Sequence, residues 1–229
     1  MNRDTFQKIW SNFYANTEMM YPSEFVIRIF KGSYPRLNLD KNAFQYQNIC
    51  DIGCGDGRNL VLLKEVGFNI YGVEITQDIV DKVKNNLKKF NIDADVRVGF
   101  NHNLPFDNEF FDYVISWNSS YYMGDHDDFN DHVKEIARVL KPNGYLVLSI
   151  PKKSCFIYHE SEILKEGYII VRNDPFKLRD GDILRIFEDE SEIESTFSKY
   201  FYNFKFASIH DDCFGYDYHW HIAVCQKKN

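Results

Sequence analysis

Short apolar strands and amphipathic helices alternate along residues 48–151, and this alternation constrains the fold more than any other feature. The run "NICDIG" fits a strand buried on both faces, and "RNLVLLKEVG" at 58–67 has helical spacing. The same order continues in "NIYGVEI", "TQDIVDKVKNNLKKF", "ADVRVG", "FFDYVISW", "DFNDHVKEIARVL" and "YLVLSIP". Such regular alternation predicts an α/β fold with a parallel, doubly wound sheet and helices on both faces.

The segments on either side of this core, which we place at residues 41–151, have other patterns. Residues 1–40 carry two apolar blocks at helical spacing, separated by Pro22, and predict a helical cap. Residues 152–200 break the rhythm, and we expect this insertion to cover the substrate end of the sheet. Residues 201–229 predict an antiparallel pair of strands. The length of 229 residues fits one domain, so we expect a single domain over 1–229.

Composition excludes some classes of partner. The formal net charge of −7 argues against a nucleic-acid binder, which carries a concentrated basic surface. No apolar run reaches the length of a signal peptide core or a membrane span. The five cysteines form no C-x-x-C pair, which is typical of a reducing compartment. We therefore expect a cytoplasmic protein with no membrane or nucleic-acid partner.

The stretch "CDIGCGDGRN" at 50–59 places three glycines at the end of the first strand. In a doubly wound sheet, ligands bind at the carboxyl ends of the strands, and glycine lets the backbone approach them closely. A dinucleotide fingerprint would need its third glycine at position 58, where this chain has Arg58. The glycine spacing therefore weakens a nicotinamide-dependent interpretation.

An acidic residue, Glu74, ends the second strand. A carboxylate at that edge can accept hydrogen bonds from both hydroxyls of a ribose. The glycine turn and Glu74 together predict a nucleoside-containing ligand.

Four motifs, "ICDIGCGDGRNL", "IYGVEIT", "LPFDNEFFDYVIS" and "VKEIARVLKPNGYLVLSIP", follow one another between Asn48 and Pro151. As a set they resemble the successive motifs of class I S-adenosylmethionine-dependent methyltransferases. The resemblance implies a three-layer, Rossmann-like fold with a seven-stranded sheet and a reversed last strand. It also implies a methyltransferase with S-adenosylmethionine as its cofactor.

The resemblance further implies which residues contact the cofactor. Asp51 is expected near its ammonium group, Glu74 at its ribose and Ile75 on its adenine. The family often has Gly-Asp-Ala before its Leu-Pro, whereas this chain has Gly99, Phe100 and Asn101, so the usual acid at the adenine is missing. The cofactor residues implied for the core are Asp51, Gly53, Cys54, Gly55, Asp56, Gly57, Asn59, Glu74, Ile75, Phe100, Asn101, Trp117 and Asn118.

Aromatic and basic residues of the N-terminal cap could close over the cofactor. Tyr14, Tyr21 and Arg28 are the candidates, and Arg28 could pair with the cofactor carboxylate.

Three segments are expected to converge on the transferred methyl: the N-terminal cap, the loop after the fourth core strand and the turn before the reversed last strand. His219 is the preferred general base, because an imidazole titrates near neutral pH. Tyr121 and Tyr122, with His126, follow the fourth core strand. His219 and His221 share one strand face, but no third ligand has diagnostic spacing, so we predict no metal site.

The sequence also narrows the methyl acceptor. Enzymes that methylate nucleobase amino groups carry an Asp/Asn-Pro-Pro-Tyr/Phe run where this chain has "WNSS" at 117–120. No double-glutamate loop of the arginine-methylating kind is evident. A small molecule is the remaining class, and O-methylation of a sugar, a phosphoryl group or another hydroxyl metabolite is the leading interpretation. N-methylation of a small amine, a catalytically silent S-adenosylmethionine-binding protein and an NAD(P)-dependent reductase are the alternatives.

Overall fold

The computed structural model describes residues 3–19, 21–124 and 127–229, so His126 lies outside the described residues. The strands are β1 Asn48–Ile52, β2 Asn69–Glu74, β3 Asp95–Val98, β4 Phe111–Ser116, β5 Tyr122–Met123, β6 Leu140–Pro151, β7 Glu162–Lys165, β8 Tyr168–Ile170, β9 Ile183–Arg185, β10 Phe201–Cys213 and β11 Tyr216–Lys227. The α-helices are α1 Arg3–Ala15, α2 Glu24–Lys31, α3 Arg58–Glu65, α4 Gln77–Lys88, α5 Phe129–Val139 and α6 Glu190–Phe197. Two short 3₁₀ turns, Lys41–Phe44 and Phe156–Tyr158, complete the elements.

A seven-stranded sheet in the order β10-β11-β6-β4-β1-β2-β3 forms the centre of the protein. β1 pairs in parallel with both β2 and β4, and the register of β1 on β2 runs from Asn48 opposite Asn69 to Ile52 opposite Val73. β11 is antiparallel to β6 and to β10. This arrangement confirms the predicted doubly wound sheet and its reversed last strand.

The two faces of the sheet are covered by different helices. On one face an aromatic cluster of Phe30, Phe44, Phe68 and Tyr113 packs α2 against the sheet, with ring centroids between 4.7 and 6.3 Å apart. On the other face α5 and α6 bury apolar side chains such as Phe129 against the sheet. Burial of apolar area on both faces is the main stabilising contribution to such a three-layer fold.

The two predicted N-terminal helices are present and separated at Pro22. α1 lies against the start of α4, where the hydroxyls of Ser11 and Thr76 are 2.9 Å apart. Thr76 also caps α4, since its Oγ1 accepts the Ile79 N–H at 3.3 Å. These contacts place α1 over the carboxyl end of β2.

The insertion forms a second, four-stranded antiparallel sheet in the order β5-β9-β8-β7. β5 comes from the core, so Tyr122 and Met123 join the insertion to the loop after β4. β8 and β9 each bury their central apolar residue, whereas the side chains of β7 are exposed. The insertion therefore contacts the carboxyl end of the main sheet, while the extent of the single domain stays a prediction.

Among the described residues, no helix has both the length and the apolar character that crossing a membrane requires.

Candidate functional site

A cavity of about 370 Å³, here called the pocket, opens at the carboxyl ends of the central strands. Its floor comes from the residues that end or follow β1, β2 and β4, and its roof comes from α1 and the insertion. This is the position at which doubly wound sheets bind ligands. The lining residues are Phe6, Trp10, Tyr14, Ile52, Gly53, Val73, Glu74, Ile75, Gly99, Phe100, Asn101, His102, Asn118, Ser119, Tyr122, Met123, Gly124, Asp127, His132, Gly181, Asp182 and Ile183.

Close packing requires glycine at two positions of the glycine turn. Gly53 has φ 69°, and a Cβ there would lie 2.6 Å from the Cβ of Ser119. Gly55 has φ 62°, and a Cβ there would lie 2.5 Å from the Tyr14 hydroxyl. Both the left-handed backbone and the lack of space exclude larger residues. The turn thus brings bare backbone against the loop after β4 and against α1.

Glu74 connects the end of β2 to the glycine turn. Its Oε1 accepts the Gly55 N–H at 2.6 Å, and its Oε2 accepts the Ile75 N–H at 3.0 Å. Burial raises the pKa of Glu74 to about 7, against the two backbone N–H groups, which lower it. A carboxylate has about four lone-pair positions, so Glu74 retains acceptor capacity toward the pocket that it lines.

Asp51 lies one residue before the lining segment and is 1% exposed. Neither of its carboxylate oxygens has a hydrogen-bond partner among the described residues. Burial raises the pKa of Asp51 to about 8, and the nearby Asn59 amide opposes this shift without reaching hydrogen-bond geometry. An unsatisfied buried acid of this kind is suited to a cationic ligand group.

Asn59, at the start of α3, has a structural contact. Its Oδ1 accepts the N–H of Ser23 at 3.1 Å, which ties the start of α2 to α3. Cys54, Asp56 and Gly57 are buried within the turn and, like Asn59, they do not line the pocket.

The loop after β3 forms one wall of the pocket. The Gly99 N–H donates to the Glu74 carbonyl at 2.9 Å, and the Asn101 amide donates to the Ser119 carbonyl at 3.2 Å. Phe100 also lines the pocket, as does Ile75, which follows β2. Both side chains are apolar and lie in the pocket, where they could contact an adenine ring as the sequence predicts.

The end of β4 brings Asn118 to the pocket in a left-handed conformation, with φ 59°. Its N–H donates to Ser149 Oγ at 2.9 Å, and that hydroxyl donates back to Asn118 Oδ1 at 2.8 Å. This reciprocal pair fixes the orientation of Asn118. Trp117, by contrast, is 9% exposed and packs in the core without lining the pocket.

Of the three candidates in the N-terminal cap, the structure brings Tyr14 to the pocket. Tyr21 is 91% exposed, and Arg28 is exposed and forms an ion pair with Glu24. Neither lines the pocket: Tyr21 lies before α2, and α2 presents Arg28 to solvent while it buries Val26 on its other face.

The structure likewise brings only some of the candidates for the chemistry to the pocket. Tyr122 lines the pocket, and its hydroxyl accepts a hydrogen bond from Arg179 Nε at 3.0 Å. Tyr121 is 1% exposed, stacks on Tyr122 and packs against Trp220 in the core, so it does not line the pocket. His219 does not line the pocket, and its Nδ1 lies 2.8 Å from Ser154 Oγ.

Sequence reasoning missed several pocket residues. Asp182 in the insertion is 4% exposed, and its Oδ2 has no hydrogen-bond partner among the described residues. Burial raises the pKa of Asp182 to about 8, although Arg179 opposes the shift. Phe6 and Trp10 of α1 form an aromatic wall with Tyr122, with centroids 5.9 and 6.0 Å from the Tyr122 ring. No motif marks these residues, because only tertiary packing brings them to the pocket.

Comparison with known proteins identifies the class to which this fold and site belong. Residues 50–148 match the family model described as "Methyltransferase domain". A SAM-dependent methyltransferase from Methanosarcina mazei has the same fold, with a TM-score of 0.67 and 21% identity over 86% of this chain and 98% of that chain.

Two curated relatives match the core. YqeM of Bacillus subtilis, named as a methyltransferase, is 28% identical over 106 residues, which are 44% of this chain and 41% of that protein. A mouse protein that carries the name tRNA methyltransferase 9B is 30% identical over 102 residues, 44% of this chain and 21% of that protein. The match thus spans about two fifths of the first relative and one fifth of the second.

Residues 50–148 thus match a methyltransferase domain, and the chain has the fold of S-adenosylmethionine-dependent methyltransferases. This agrees with the family that the motifs predict, in preference to a nicotinamide-dependent reductase. S-adenosylmethionine is the cofactor of the class, and the site fits it. The glycine turn has no space for a Cβ, and the unsatisfied Asp51 carboxylate is suited to the cofactor ammonium.

Proposed function

We propose that this protein transfers the methyl group of S-adenosylmethionine to a hydroxyl group of a small molecule. The observation that carries the proposal is the continuity of the pocket: one cavity runs from Gly53 and Glu74 to the aromatic wall and the buried Asp182. A cofactor held by the first set of residues leaves the second set for the acceptor.

The proposed cofactor cradle consists of the residues predicted from the motifs and placed at the pocket or beside it. Glu74 binds the ribose hydroxyls, Asp51 faces the ammonium group, and Phe100 and Ile75 enclose the adenine. Asn118 lies next to the methyl-bearing end. The bound cofactor supplies an activated methyl group on a sulfonium, so the protein has to orient the acceptor and exclude water.

The acceptor side of the pocket supports a small, partly apolar molecule. Phe6, Trp10 and Tyr122 offer ring faces and edges, and α1 covers the opening above them. Enclosure by a helix and an inserted sheet suits a compact molecule, because a nucleic-acid loop would have to displace both. The net charge of −7 agrees with this choice of acceptor.

Asp182 is the proposed general base, in preference to the His219 hypothesis. Its Oδ2 is buried, unpartnered among the described residues and in the pocket wall. In its ionised form Asp182, with its pKa raised to about 8, is a stronger base than an ordinary aspartate, and the ionised fraction grows as the pH rises towards 8. Asp182 Oδ2 would therefore take the proton of the acceptor hydroxyl as the C–O bond forms.

The test is a methyl-transfer screen on fractions of one cell extract with radiolabelled S-adenosylmethionine. The low-molecular-mass fraction, total tRNA and protein are assayed separately, and mass spectrometry locates the new methyl group. We expect label in the low-molecular-mass fraction, on oxygen. Label in tRNA, as the name of the mouse relative suggests for that protein, would contradict the small-molecule proposal. Label on nitrogen would contradict the O-methyl assignment.

A catalytically silent protein would give another result. It would bind S-adenosylhomocysteine and label no fraction, and this outcome would overturn the proposed activity while leaving the cofactor site intact.

A further inference from the structure

Three side chains that could hold a metal ion meet in the wall of the pocket. His102 follows β3, Asp127 follows β5 and His132 lies on α5. His102 Nδ1 and His132 Nε2 lie 3.3 and 3.5 Å from Asp127 Oδ2, and all three ligand atoms are within 4.8 Å of one another. Ligands at 2.0–2.1 Å around tetrahedral zinc are separated by about 3.3 Å. The cluster therefore has the spacing of a coordination shell.

His132 has the hydrogen bonding that is typical of a metal ligand. Its ring is 1% exposed, and its Nδ1 lies 3.1 Å from the Ser120 carbonyl. A carbonyl oxygen only accepts, so Nδ1 carries the hydrogen of the neutral ring and Nε2 carries the lone pair. Nε2 has no hydrogen-bond partner among the described residues, and it faces Asp127. A backbone carbonyl on the distal nitrogen is the usual outer contact of metal-bound histidine.

A cation between these groups resolves the electrostatics of the cluster. The lone pair of a neutral His132 and the carboxylate of Asp127 repel each other unless a proton or a metal ion lies between them. Protonation of both histidines would place two imidazolium rings at a centroid distance of 6.1 Å, where they repel. One divalent ion instead binds both nitrogens and the carboxylate at once.

We propose that His102, Asp127 and His132 bind one divalent transition-metal ion, of which Zn²⁺ is the representative. Two imidazoles and one carboxylate favour Zn²⁺ and its neighbours over Mg²⁺ or Ca²⁺. Three protein ligands leave a position for water or another oxygen donor. That position is accessible from the pocket or from an adjoining cavity of about 210 Å³ that His102 and Asp127 also line.

The ion would connect three segments that frame the pocket. It would join the loop after β3, the segment after β5 and α5. Binding to the folded protein alone raises its stability by mass action, so the ion would raise the melting temperature. This proposal is independent of the methyl acceptor and of the proposed reaction.

The experiment uses full-length protein stripped with a chelator. Isothermal titration with Zn²⁺ is expected to show one site per chain and a melting temperature several degrees higher. Titration with Co²⁺ is expected to give visible d–d bands from a site of nitrogen and oxygen ligands.

The variants His102→Gln and Asp127→Asn are expected to weaken Zn²⁺ at least tenfold. His210→Gln is the matched control, because His210 forms a separate histidine pair with His219 at a ring distance of 4.9 Å. All titrations use a Cys213→Ser background, since Cys213 is an exposed thiol. Binding of S-adenosylhomocysteine to each variant verifies its fold.

Two results would overturn the proposal. One is a wild-type protein with neither saturable Zn²⁺ binding nor Co²⁺ bands, which would make the cluster a protonated histidine–carboxylate pair. The other is Zn²⁺ binding that survives in both site variants and is lost in His210→Gln. Neither result affects the methyl-transfer assay, so the two proposals fail separately.

Discussion

The carboxylate of Glu74 accepts the backbone N–H of Gly55 at 2.6 Å, and this contact joins the end of β2 to the glycine turn after β1. The two features that the sequence singled out are therefore parts of one structure. Glu74 therefore both orders the glycine turn and lines the pocket. Changes at Glu74 are expected to affect both the conformation of the turn and ligand binding.

Replacing Gly53 by alanine tests the close packing of the turn. Alanine in a left-handed conformation costs about 1–2 kcal/mol, and overlap with Ser119 adds about 1–3 kcal/mol. Gly215→Ala is the matched control, because Gly215 has φ 89° with no atom within 4 Å of a built Cβ. Denaturant unfolding is expected to show the larger loss for Gly53→Ala. Equal losses in the two variants would contradict the packing at Gly53.

Buried acids predict a pH dependence of stability. The pKa values of Asp51 and Asp182 are raised from 3.8 to about 8, and that of Glu74 from 4.5 to about 7. The folded state therefore binds more protons than the unfolded state up to about pH 8, and stability falls as the pH rises. His221 has the opposite effect between its lowered pKa of about 4 and 6.5. Between pH 6.5 and 8 these three acids therefore dominate the pH dependence of the stability.

Thermal unfolding of ligand-free protein between pH 6.5 and 8 measures this dependence. We expect a falling melting temperature in the wild type and a smaller slope in Asp51→Asn. A melting temperature that rises with pH over this range would show that these acids are ionised in the folded protein.

Asp182→Asn tests the proposed base. The amide retains the size of the side chain but cannot accept the hydroxyl proton, so kcat is expected to fall by about 10²–10⁴. The affinity for S-adenosylhomocysteine is expected to remain within about twofold, because Asp182 lies on the acceptor side. Asp211→Asn, on the exposed part of β10, is the control and retains full activity. An unchanged kcat in Asp182→Asn would assign the proton transfer to another group or to water.

The main sheet could be predicted from the sequence because its signals are local. Apolar runs, helical spacing and Thr76 as a cap each fix an element within a few residues. The second sheet was harder to predict. Its first strand, Tyr122–Met123, has two residues and pairs with Ile183–Leu184 far along the chain.

The same distinction between local and long-range signals applies to the residues of the candidate site. Gly53 follows β1 and Glu74 ends β2, and because these two strands pair side by side the positions of both residues follow from the motif. His219 lies on β11, which β6 and β4 separate from β1. Three strand spacings place it about 14 Å to the side, which explains why it does not line the pocket. Asp182 and the cluster of His102, Asp127 and His132 depend on packing between distant segments, and no spacing in the sequence marks them.

The most direct test of the account is the affinity for S-adenosylhomocysteine, measured by isothermal titration on the wild type, Glu74→Gln and Glu65→Gln. Glu65 is an exposed glutamate on α3 that pairs with Lys31 and serves as the control. We predict one site per chain in the wild type and Glu65→Gln, and about 10–100-fold weaker binding in Glu74→Gln, since hydrogen bonds to a charged group contribute about 1.5–3 kcal/mol. Equal affinity in all three proteins, or no binding by the wild type, would contradict the assignment of this pocket to the cofactor.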